Sequence, residues 1–174
     1  VTVEENNTLL QDFVGDTYEI LAKFYPEEGT QKVGFKVRTG ETEETLIVYD
    51  LLTQSLSIDR SRSGVIISSK FAEVTSQNVT ENADGTVDLH IYVDKASVEV
   101  FAKDYTAAGA AQIFPSPLSV GAAVLVEGAA AKADITIYPL DSIWTDKAEV
   151  TEPIVLNPTI EEAKAEEEEK VEVV

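Results

Sequence analysis

The 174-residue chain sets 32 acidic against 13 basic residues, a formal net charge of −19, and 44% of it is hydrophobic. That balance fits one globular domain plus a tail and excludes global disorder. It also makes phosphate backbones and anionic lipid surfaces poor partners, so no nucleic acid and no membrane is expected. With no Cys and a single His, His90, the chain is expected to hold no disulfide, metal or cofactor.

Residues 1–14 show no period and are read as a lead-in, residues 15–144 as the domain, and residues 145–174 as an acidic linker or tail with ten acidic residues against three lysines. The start at Val1, without Met or a leader-like segment, is read as the cut end of a longer protein. From Tyr18 the apolar residues alternate: Tyr18, Ile20, Ala22 and Phe24 share a face, and Val33, Phe35 and Val37 resume the pattern after Pro26-Glu27-Glu28-Gly29. Thr45–Tyr49 is continuously apolar or β-branched, as a strand covered on both sides is. Leu56 and Ile58 begin another strand, and Asn82-Ala83-Asp84-Gly85 is a turn. Val87, Leu89, Ile91 and Val93 then alternate with Asp88, His90, Tyr92 and Asp94. A two-residue loop at Lys95-Ala96 pairs Tyr92 with Glu99. Further strands are expected at Ala111–Phe114, Ala122–Val126 and Asp134–Leu140. Roughly ten short strands and no helix before the tail predict an all-β, antiparallel two-sheet sandwich of jelly-roll or lectin type.

In the tail, Pro153 and Pro158 flank Ile154-Val155-Leu156, which can add an edge strand. Thr159-Ile160-Glu161-Glu162 has capping-box spacing for a short helix over Ile160–Lys170.

Few residues suggest chemistry. Retaining glycoside hydrolysis needs two carboxyl groups about 5–5.5 Å apart, and Asp94 and Glu99 come nearest, although carboxylates flanking a hairpin ordinarily accept local hydrogen bonds. His90 lies on a polar strand face and is read as a surface or interface residue; Ser61 and Ser63 have no nucleophile motif. No catalytic residue is assigned. Arg38, Asp59, Arg60 and Arg62 cluster at two strand ends of an arginine-poor chain. Guanidinium forks either tie turns together there or bind vicinal hydroxyls of a sugar. Tyr49, Tyr92, Tyr105 and Trp144 are possible stacking surfaces for sugar rings, with Trp144 read rather as a domain-interface residue.

Three segments in this order, Gly34-Phe35-Lys36-Val37-Arg38-Thr39-Gly40, Asp59-Arg60-Ser61-Arg62-Ser63-Gly64 and Val93-Asp94-Lys95-Ala96-Ser97-Val98-Glu99-Val100-Phe101, together with the closing Ile135–Trp144, resemble the C-terminal β-sandwich of glycoside hydrolase family 32, the levanases, inulinases, fructosidases and invertases. The resemblance spans about Gly15 to Trp144. One departure is the loop after Phe101, where Ala102-Lys103-Asp104-Tyr105 replaces the family's small residue, polar residue and Gly.

The resemblance implies that the chemistry lies in a separate five-bladed propeller, whose Trp-Met-Asn-Asp-Pro-Asn, Arg-Asp-Pro and Glu-Cys motifs are absent from this chain. It implies a non-catalytic accessory domain that packs on the propeller of the same polypeptide and stabilises it, with homodimerisation as a further role. The alternative is an autonomous module that binds β-fructan oligosaccharides. An extracellular or cell-wall-associated bacterial enzyme is the implied parent.

Overall fold

The computed structural model describes residues 1–141 and 152–156. The strands in chain order are β1 (Thr2–Val3), β2 (Tyr18–Pro26), β3 (Thr30–Thr39), β4 (Glu44–Asp50), β5 (Ser55–Arg62), β6 (Thr75–Asn78), β7 (Val87–Asp94), β8 (Ser97–Ala102), β9 (Ala107–Gln112), β10 (Gly121–Gly128), β11 (Ala131–Pro139) and β12 (Ile154–Leu156). They form two antiparallel sheets, one in the order β1-β11-β2-β7-β8-β9 with β12 also on β11, the other β10-β3-β4-β5-β6. The sandwich that the alternation predicts is therefore present.

The inward faces are those the sequence marks. Tyr18, Ile20, Ala22 and Phe24 from β2 and Val87, Leu89, Ile91 and Val93 from β7 are buried against Val33, Phe35, Ile47, Tyr49 and Ile58 of the facing sheet. Phe24 and Phe35 meet across the layers with ring centroids 5.8 Å apart. Such burial of aliphatic and aromatic side chains, about 1.5–3 kcal/mol each, is the main term holding the two sheets together. The β7–β8 hairpin takes the register read from the sequence, with Tyr92 opposite Glu99 across Lys95-Ala96.

Three parts differ from the sequence reading. Residues 1–14 belong to the sandwich: β1 pairs with β11, and Val3, Leu10 and Phe13 are buried in the core. Turns between them hide any period. The strand expected at Ala111–Phe114 runs instead over Ala107–Gln112, because alanines and a glycine carry no alternating apolar signal. The edge strand β6, Thr-Ser-Gln-Asn, has no apolar residue to mark it. The patch Ile154–Leu156 does form an edge strand, with Thr136 opposite Val155. The helix expected over Ile160–Lys170 and the position of Trp144 lie outside the described residues.

Each end of the sandwich is tied where the chain crosses between sheets. At one end the β2–β3 and β10–β11 corners interlock: Ala129 N donates to Gly29 O (3.0 Å), and the Thr30 hydroxyl donates to Ala130 O (2.6 Å). Gly128 adopts φ +87° there, and a Cβ would stand 2.5 Å from Gly29 O. At the other end the tie is Arg38. It is the unpaired residue of a bulge, since Val37 opposes Ala122 and Thr39 opposes Gly121, and its φ of 49° turns the side chain inward. Its Nε donates to Ser119 O (2.8 Å), Nη1 to Asp16 O and Lys95 O (both 3.2 Å), and Nη2 to Ser116 O (3.3 Å). One side chain thus joins the approach to β2, the β7–β8 turn and the loop before β10.

Arg38→Met removes the donor from four carbonyls at once, and acceptors left unsatisfied cost roughly 1 kcal/mol or more each. Urea unfolding of this variant is expected to show a loss of about 3–5 kcal/mol. Arg38→Lys, which keeps the charge but not the planar fork, should recover less than half of it. An unchanged midpoint in both variants would remove Arg38 as the tie.

Candidate functional site

The residues that the sequence groups as possible sugar contacts do not converge. Arg38 is 2% exposed, and its guanidinium is engaged by the four carbonyls above. Tyr49 is also inside, its hydroxyl donating to Val79 O at 2.7 Å. Asp59 accepts from the Ser61 N–H (2.8 Å), closing its own turn. Arg62 pairs with Glu44 (2.8 Å), whose other oxygen takes Lys36 (3.1 Å). These groups tie turns and strand ends together, whereas Tyr92, 37% exposed on β7, presents its ring on the outward face of the sheet.

Arg60 builds something larger. Its guanidinium lies over the Phe71 ring, 4.1 Å from the centroid, and Phe71 stacks on Phe114 at 5.5 Å. Beside them Gly64 pairs with Phe114; at φ +97° a Cβ on Gly64 would come within 2.0 Å of Phe114 O, so only glycine permits this approach. The cation–π contact, the stacked rings and the glycine bridge hold the loop after β5 against the strand-free segment before β10. From that fixed base Val65, Ile66 and Ile67 project at 63%, 44% and 61% exposure. Val14 and Leu118 are exposed too, in segments that the Arg38 tie brings to the same end of the sandwich.

The catalytic possibilities find no assembly. Asp94 accepts from Thr17 and from the Lys95 N–H, as a hairpin carboxylate does. It opposes Ser97, so Glu99 is its diagonal neighbour, a relation that sets side-chain origins about 7–8 Å apart. Ser63 donates to Arg60 O (2.7 Å). Among the described residues no three His, Asp or Glu side chains group as a metal cage requires.

A second cluster lies on the outward face of β7 and β8. His90 Nε2 is 2.5 Å from Glu19 Oε1, and its Nδ1 is 2.7 Å from the Tyr105 hydroxyl. Because a carboxylate only accepts, the Glu19 contact uses the proton on Nε2, and Nδ1 shares a hydrogen bond with the Tyr105 hydroxyl. Around it, the Tyr92 ring lies 4.6 Å from His90, and Phe101 lies 6.3 Å from Tyr92 and 5.8 Å from Tyr105. Desolvation against these rings, then the Glu19 carboxylate, raises the Tyr92 hydroxyl above the ordinary phenol range. The sequence marks His90 and Tyr92 as outward-facing; Glu19 was missed, because its register with Tyr92 is a pairing between distant strands.

Comparison with known proteins then adds kinship. A family model described as the C terminal of glycosyl hydrolases family 32 matches residues 1–139. A fructan beta-fructosidase of Streptococcus mutans is 58% identical over 159 residues, 91% of this chain and 11% of that protein. A levanase of Bacillus subtilis is 36% identical over 133 residues, 75% of this chain and 20% of that protein. Among solved structures, the exo-inulinase of Aspergillus awamori superposes with a TM-score of 0.76 at 31% identity, covering 82% of this chain and 28% of that one. The chain thus spans less than a third of the length of each of these relatives.

Tyr49 supplies a test of its interior placement. Burial, then the charges of Glu81 and Asp50, push its hydroxyl up from 10.0 to about 12. A raised folded value favours the neutral phenol in the fold, so this contribution is complete below pH ~10 and is lost as pH rises through about 12. Over that window the wild-type chain is expected to lose more stability to urea than Tyr49→Phe; parallel declines would count against it.

Proposed function

Since the chain belongs to the C-terminal domain family of glycosyl hydrolases family 32, we propose that it is a non-catalytic accessory domain of a fructan- or sucrose-degrading hydrolase, seated against the catalytic propeller of the same polypeptide. The observation that carries this reading is the Val65-Ile66-Ile67 loop. Exposed aliphatic side chains in a mobile loop would say little, but these are mounted on the Arg60, Phe71 and Phe114 stack and accompanied by Leu118 at 86% exposure. A surface that is both apolar and fixed in shape is suited to permanent burial against a protein.

The lack of a paired acid and nucleophile among Asp94, Glu99 and their neighbours fits the same reading, as does the strong identity to a much longer fructan beta-fructosidase. An extracellular or cell-wall-associated bacterial parent is proposed with it, as the setting the family resemblance implies. Pairing of two copies through the aliphatic loop is the competing use of that surface.

In the polypeptide that holds both domains, Ile66→Ser combined with Ile67→Ser is expected to lower the thermal midpoint of fructose release by a few degrees while leaving the rate at 25 °C within about twofold. The 174-residue chain alone should release no fructose from sucrose or levan above the buffer rate. Release by the chain alone, or an unmoved midpoint in the double variant, would sink the proposal. Loss of a dimer in sedimentation, with the midpoint unmoved, would reassign the loop to self-association.

A further inference from the structure

The outward face of the larger sheet is chemically unlike the aliphatic loop. Strand register places Tyr138, Glu19, Tyr92, Glu99 and Ala110 in one transverse row across β11, β2, β7, β8 and β9. With strands about 4.8 Å apart, the row is roughly 19 Å long and alternates ring and carboxylate. Tyr92, Tyr138 and, from the adjoining loop, Tyr105 are exposed at 37%, 37% and 64%. Beyond Glu99 the surface drops, because the β9 residues beside it on the outward face, Ala108 and Ala110, are small. A shallow depression of about 440 Å³ lies there, bordered by Ser97, Glu99, Ala110 and Gln112.

We infer that this row is a binding site for a neutral oligosaccharide, with Tyr92 as its central stacking surface, Tyr105 extending the ring surface, and Glu19 and Glu99 as hydrogen-bond acceptors on either side. The inference stands apart from propeller docking and does not rest on it. The ligand class follows from the mixture of groups. A sugar ring has an apolar C–H face for an aromatic ring and hydroxyl donors at its rim for carboxylates. A polyanion is repelled by Glu19, Glu99, Asp88 and Asp94, which border the rings. A protein partner is better served by the aliphatic loop at the end of the sandwich. The rings also need no reorganisation to receive a ligand: His90, held from both sides by Glu19 and Tyr105, wedges against Tyr92 and Phe101. A site fixed before binding loses little conformational freedom on association.

The test is affinity electrophoresis and calorimetry of the 174-residue chain with levan, inulin and dextran and their short oligosaccharides. Saturable binding of at least one of them is expected. Tyr92→Ala and Tyr105→Ala should each weaken it about tenfold or more, Tyr92→Phe should stay within about threefold, and Ile66→Ser, in the aliphatic loop, should bind as wild type. Circular dichroism and an unchanged thermal midpoint certify the fold of each variant. Absence of binding to every saccharide, or undiminished binding by Tyr92→Ala and Tyr105→Ala, overturns the site. Self-association that Tyr92→Ala abolishes, without saccharide binding, overturns it in favour of a protein interface. None of these readouts uses the catalytic domain, so a failure here leaves the docking proposal standing, and the reverse.

Discussion

A guanidinium withdrawn from water must be matched by the chain around it, and at Arg38 the match is made by peptide carbonyls. Desolvating the charge costs several kcal/mol, so the side chain stays inside only if its donors are used. Four acceptors use them. The loop from Ser116 to Ser119 is held from a second direction as well. Glu43 accepts from the Ser116 N–H (2.7 Å) and the Ser119 hydroxyl (2.6 Å), the same residues whose carbonyls face Arg38. Cation and carboxylate therefore hold the same two residues, Arg38 through their carbonyls and Glu43 through the Ser116 N–H and the Ser119 hydroxyl. That relay orders a connection that has no strand pairing of its own. The aliphatic end of the sandwich, Leu118 included, takes its shape from this tie.

The two ends of the sandwich solve the same problem by different means. Where β2 passes to β3 and β10 to β11, glycines let two backbones approach and bond directly. Where the crossing segments are longer, a side chain with a long reach and several donors is needed instead. Both ties are at the ends, which leaves the outer sheet faces free of structural duty. The outer face of the larger sheet carries rings and carboxylates, whereas that of the smaller sheet carries ion pairs such as Lys36 with Glu44 and Lys32 with Glu127. Exposed pairs of that kind contribute about 0–1 kcal/mol and keep the surface polar.

Much of this was legible in the residues. Clean alternation in Val87–Val93 gave the inward face, the outward position of His90 and Tyr92, and, through a two-residue turn, the register with Glu99. The misplaced parts have local causes. By alternation with Val37, Arg38 should point outward; a bulge reverses it, and nothing in Lys36-Val37-Arg38-Thr39 announces one. In Thr45–Tyr49 the unbroken apolar run hides the phase, so the inward direction of Tyr49 could not be read. The proximity of Arg38, Arg60 and Arg62 to strand ends was correct, but ends of different strands lie in different places. The aliphatic loop shows only as Val65-Ile66-Ile67; its rigidity comes from Phe114, 48 residues beyond Ile66, and becomes visible only in three dimensions.

The loop after Phe101 shows how local strain can be tied to a surface. Lys103, Asp104 and Tyr105 all have positive φ, 51°, 50° and 62°, a conformation that costs a side-chain-bearing residue about 1 kcal/mol or more. A chain that needed only a reversal would place Asn-Gly there. Each of the three instead makes a specific bond: Lys103 donates to Thr80, the Asp104 N–H donates to Asp88 Oδ2, and the Tyr105 hydroxyl shares a hydrogen bond with His90 Nδ1. The last of these is what brings a fourth ring to the cluster, since Tyr105 reaches the outer face only from a left-handed turn. Replacing the loop by an unstrained Asn-Gly would relieve the backbone and remove that ring. The departure from the family pattern is therefore concentrated at the point where the outer face of the sheet gains its most exposed aromatic side chain.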